Sequence, residues 1–178
     1  MKSIFFLCCL IPAMVLAQNA KRDSIWRPLK PFVGVWSGEG GGEPGQGKYE
    51  RTYTFIMNQQ FIEIRNKSTY PPSAQHPEGE VHEDIGYFSY DGGRKIFVLR
   101  QFHSEGFVNQ FRLDSISPDK KTIVFITEAI ENIPKGWRAK ETYRLLNDTQ
   151  IEEIFELAAP GEGFNVYTKV KLVKQSFN

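Results

Sequence analysis

The chain has 178 residues, with 22 Lys and Arg against 21 Asp and Glu and 13% aromatic residues, enough for one ordinary domain with its own core. Near-neutral charge with both signs interspersed gives no electrostatic basis for binding nucleic acid or an acidic membrane surface. The two cysteines, Cys8 and Cys9, both fall within the first 17 residues.

Residues 1–17 read as a secretory signal peptide. Lys2 precedes an apolar run from Ile4 to Leu16, and Val15-Leu16-Ala17 offers small residues where a signal peptidase cuts, so cleavage is expected after Ala17. The run is too short for a membrane span, so no stable membrane insertion is expected. The mature protein, periplasmic or secreted, then holds no cysteine. That excludes a disulfide, a thiolate nucleophile and a cysteine-bound metal. Losing Lys2 also leaves 21 basic against 21 acidic residues.

Residues 18–31 form a polar lead-in with Ile25, Trp26 and Leu29 as its apolar teeth. Pro28 and Pro31 exclude a long helix, so a short helical turn closing one barrel end is expected. The barrel domain is read as 32–178. Its opening strand is Phe32–Gly42, in which Gly34, Trp36 and Gly38 share one face and the glycines leave room for the indole. Short alternating segments follow at Lys48–Met57, Gln60–Thr69, Val81–Tyr90, Arg94–His103, Phe107–Asp114, Thr122–Ala129, Trp137–Leu146, Gln150–Ala158 and Asn165–Val173, separated by turn signals such as Asp91-Gly92-Gly93. Short links mean antiparallel neighbours, and a meander this long closes to remove its edges. The fold class is all-β: one antiparallel up-and-down β-barrel of about ten strands, wide enough for one small ligand.

Polar residues on the apolar faces mark the interior. Alternation turns Glu141 inward with Tyr143, Glu153 with Phe155, Asn109 with Phe111, and Arg51 with Tyr53 and Tyr49. The ligand cavity is therefore expected to be lined by Tyr53, Phe55, Asn109, Phe111, Glu141, Tyr143, Glu153 and Phe155. An internal salt-bridge network explains the same pattern equally well. No catalytic residue is assigned. His76 reads as solvated, His82-Glu83-Asp84 lacks a second histidine at ligand spacing, and consecutive residues such as His103-Ser104-Glu105 do not converge as a catalytic trio must.

The run Phe32-Val33-Gly34-Val35-Trp36-Ser37-Gly38-Glu39-Gly40 resembles the opening of nitrobindin-like proteins, haem-binding β-barrels of the lipocalin-like calycin superfamily that begin with a Gly-Thr-Trp-x-Gly-x-Gly strand. The resemblance implies haem b as cofactor, held by a histidine where the last strand begins. The segment Glu156–Gly161 is similar to the one preceding that histidine, and counting forward puts Tyr167 in its place. Tyrosine ligates ferric haem as a phenolate, and His103 is the other candidate ligand. Strand parity sets Tyr167 outward with Lys169 and Lys171, unless a bulge follows Gly163. The expected function is an exported, non-enzymatic barrel binding a small hydrophobic ligand. The alternatives are a haem protein with nitric oxide or peroxynitrite chemistry, and an enzyme using the inward acids. Oligomeric state is left open.

Overall fold

The computed structural model describes residue 20, residues 22–74 and residues 76–176. The signal-peptide reading lies outside them. A 3-10 turn (Lys30–Phe32) leads into β1 (Gly34–Gly42), β2 (Gly47–Ile56), β3 (Phe61–Tyr70), β4 (Glu80–Asp91), β5 (Ile96–His103), β6 (Val108–Ile116), β7 (Thr122–Glu131), β8 (Arg138–Asn147), β9 (Gln150–Ala158) and β10 (Asn165–Lys174). Each strand pairs antiparallel with its chain neighbours and β10 returns to β1, so the barrel is closed. The expected ten-stranded meander forms. Phe32 belongs to the turn rather than the first strand, its amide bonding Leu29 O at 3.1 Å beside the fixed φ of Pro31.

The glycines of β1 have a different task from the one expected. Gly38 lies opposite Leu172 and Gly40 opposite Val170. A Cβ on either would fall on a β10 carbonyl oxygen, that of Lys171 or Lys169. These residues let the last strand close on the first. Gly34 is the one near the indole: its Cβ position lies 3.8 Å from Trp36 Nε1, which donates to Phe32 O at 2.7 Å.

Packing divides the barrel by height. At the end where the lead-in enters, Trp26 fits between Phe55 (5.7 Å) and Phe97 (5.3 Å), and Phe88, Phe125 and Tyr143 meet 5.3–6.1 Å apart. With Trp36, Ile62, Ile64, Leu99, Phe111, Ile123 and Ile151 they fill that half. Each such side chain contributes about 1.5–3 kcal/mol by leaving water. Further along, the inward rows turn polar. On β2 the row runs Phe55, Tyr53, Arg51, Tyr49; on β3, Ile62, Ile64, Asn66, Ser68; on β5, Phe97, Leu99, Gln101, His103. The plugged half is solid. The other half is hollow.

Candidate functional site

The open half holds a cavity of about 200 Å³, lined by residues that include Tyr49, Arg51, Asn66, Tyr70, His82, Asp84, His103, Phe107, Glu141, Glu153, Phe155 and Tyr167. That is below the roughly 300–1,000 Å³ of pockets for drug-sized ligands. Three of the eight expected lining residues are here: Glu141, Glu153 and Phe155. Tyr53, Phe55, Phe111 and Tyr143 pack in the apolar half instead, because alternation reveals a residue's face but not its height. Asn109 is buried beside the cavity, its Nδ2 donating to His103 Nε2 at 3.0 Å.

The floor is built around Glu153. Arg51 Nε donates to its Oε2 at 3.0 Å, and the Tyr53 hydroxyl donates to its Oε1. Arg51 Nη1 donates to two carbonyls, Glu50 O (2.9 Å) and Lys67 O (3.1 Å). Burial is the largest effect and opposes the guanidinium's charge, but Glu153, Tyr53 and Asp84 together outweigh it and the Arg51 pKa ends up raised. Burial, then the charge of Glu153, pushes the Tyr53 phenol far up, so it stays a donor. The internal ion pair anticipated as one reading of the inward acids therefore exists.

Glu141 is different. It lines the same cavity at 7% exposure and makes no hydrogen bond or ion pair among the described residues. Burial first, and the negative charge of Glu153 second, raise its carboxyl well above the usual range. Asn66 Oδ1, also in the cavity wall, is buried with no donor, as is Asn109 Oδ1.

The mouth carries two histidines that the fold, not the sequence spacing, brings together. His103 Nδ1 faces Asp84 Oδ1 at 2.5 Å and its ring stacks on Phe107 at 4.0 Å. His82 Nε2 faces Glu80 Oε1 at 2.8 Å and its Nδ1 meets Glu105. Asp84, His103 and Glu105 bring donor atoms within 4.8 Å of one another, yet each histidine already has a protein partner on both ring nitrogens. Tyr49 and Tyr70 share a hydroxyl contact of 3.0 Å beside them. A signal for Asp84, Asn66 and His82 is present in the sequence: Asn66 continues the buried row of Ile62 and Ile64 on β3, and Asp84 and His82 that of Phe88 on β4.

Tyr167 departs from strand parity. The β9–β10 register shifts between Val166 and Thr168, so Tyr167 occupies a bulge and joins Thr168 and Val170 in lining the cavity while Lys169 and Lys171 stay exposed. Its ring meets Phe155 edge-on at 6.0 Å, and its carbonyl accepts from Glu43 N at 2.9 Å. Its phenol pKa is raised, by burial and then by Glu80, Glu105 and Glu43. Tested against a haem, the site supplies this one donor together with flat aromatic walls. Neither mouth histidine has an uncommitted nitrogen.

A barrel solid at one end and hollow at the other leaves room for one small molecule. The chain matches the family model "THAP4-like, heme-binding beta-barrel domain" over residues 26–174, and it belongs to that family. The nitrobindin-like resemblance read from β1 is borne out. In fold the chain is similar to Rv2717c from M. tuberculosis, with a TM-score of 0.62 and 15% identity over 85% of this chain and 98% of that one. A DUF3598-family protein of unknown function from Nostoc punctiforme aligns over 84% of this chain and 98% of its own, with 8% identity and a TM-score of 0.27, too low to argue from. No curated protein matches the chain.

Proposed function

We propose that the protein is a non-enzymatic binding protein that holds one small molecule with an apolar body in the open half of its barrel. The observation that carries this is the cavity itself: aromatic walls from Tyr49, Tyr70, Phe107 and Phe155 stand over a polar floor within an otherwise close-packed barrel. The polar floor expected from the inward Glu141 and Glu153 lines this cavity, so the ligand carries a polar end. Native mass spectrometry of the purified protein, followed by solvent extraction, should recover such a molecule. A native mass equal to the bare chain, with no small molecule raising the melting temperature, would overturn this reading. The protein is exported, with cleavage after Ala17, which N-terminal sequencing of the secreted or periplasmic protein checks.

One observation favours a second reading, haem binding: the bulge that brings Tyr167 to the cavity. Haem held there would supply a ferric iron able to take small ligands such as nitric oxide. Tyr167 would hold the iron through its phenolate oxygen. Haemin titration decides it. A saturable Soret shift lost in Tyr167→Phe but kept in His103→Ala supports this reading, since the His103 ring is already held by Asp84 and Asn109. No shift in the unaltered protein removes it.

A further inference from the structure

Two oxygen-bearing groups of the cavity stand without a donor. Glu141 has no partner, and Asn66 Oδ1 has no donor. Both are acceptors. The one strong cation of the wall, Arg51, spends its Nε and Nη1 on Glu153 and two carbonyls, and no lysine lines the wall among the described residues. Asp84 and Glu105, nearer the mouth, add negative charge that the two histidines meet. A buried acceptor left without a donor costs free energy, and an anionic guest would leave these unmet. With four acidic side chains in the wall against Arg51 and two histidines, the donor that fits best is one that carries positive charge.

From this we propose that the cavity recognises a small organic amine as its cation: the ammonium group donates to Glu141 and Asn66 Oδ1, and the apolar body lies among Tyr49, Tyr70, Phe107 and Phe155. Aromatic rings around an ammonium group add to the attraction through their negative faces. The small volume of about 200 Å³ restricts the guest to a compact molecule. This inference rests on the small-molecule reading above and names the chemical class of the ligand.

The test uses the full chain and two probes of nearly equal shape, 2-phenylethylamine and uncharged 2-phenylethanol. Binding is followed by calorimetry and by NMR shifts of the cavity-wall residues. The amine should bind roughly tenfold to a hundredfold more tightly than the alcohol, the range expected for hydrogen bonds to a charged group. Glu141→Gln should bring the amine down to the affinity of the alcohol and leave the alcohol nearly unchanged, and Asn66→Leu should weaken the amine several-fold. Equal binding of both probes, or undiminished amine binding in a folded Glu141→Gln protein, overturns the amine assignment while the small-molecule reading stands. Binding of neither probe overturns the amine assignment, and a native mass equal to that of the bare chain then overturns the small-molecule reading as well.

Discussion

Folding carries Glu141 into a wall where Glu153 on β9 faces it, Arg51 on β2 draws the other way, and Asp84 on β4 and Glu156 on β9 add negative charge. Burial comes first among these effects, and together they raise its pKa. The folded protein therefore holds a proton on Glu141 over a range of pH in which the unfolded chain, titrating near about 4.3, has released it. Stability contributed by this group is full below that value and falls as pH rises toward the raised native one; each pH unit between them costs about 1.4 kcal/mol. Glu141→Gln keeps the shape and removes the titration. Urea midpoints without ligand should show the variant more stable than the parent at pH 7–8, with the gap closing toward pH 4. A variant that is less stable at every pH would show that Glu141 sits ionised in the fold.

At the level of strands, the closing pair β1–β10 depends on backbone proximity that only glycine permits at Gly38. In Gly38→Ala the added methyl group meets the Lys171 carbonyl oxygen, and Leu172 Cα lies 3.0 Å away. Overpacking of this sort costs about 1–3 kcal/mol. Thermal unfolding should report that loss, and hydrogen exchange should quicken first in β1 and β10. Unchanged exchange in those two strands would mean that the backbone moves aside without cost. How the sequence could be read follows from the same geometry. Strands, turns and the inward sense of Arg51, Glu141 and Glu153 all follow from period-two alternation, because one face of each strand is buried. Tyr167 could not be placed so, since a bulge inserts one residue and inverts the parity beyond it. Height along the barrel was equally hidden. It depends on register between strands, so Tyr53 and Tyr143 were assigned to the cavity although they belong to the packed half.

Across the whole molecule, the two halves divide the work. The half stoppered by Trp26 and Leu29 supplies the burial that stabilises the chain, which leaves the other half room to keep polar groups unmet around a cavity. Closure also brings the two ends of the barrel together: Trp36 pairs with Lys174, and Gln175 N donates to Val35 O at 2.8 Å. A short linker between the termini, with new ends opened in the 117–121 turn at the end remote from the cavity, should thus give a circular permutant that keeps every strand pair. Its near-ultraviolet dichroism should match the parent's, because order along the backbone is incidental once the cylinder is shut.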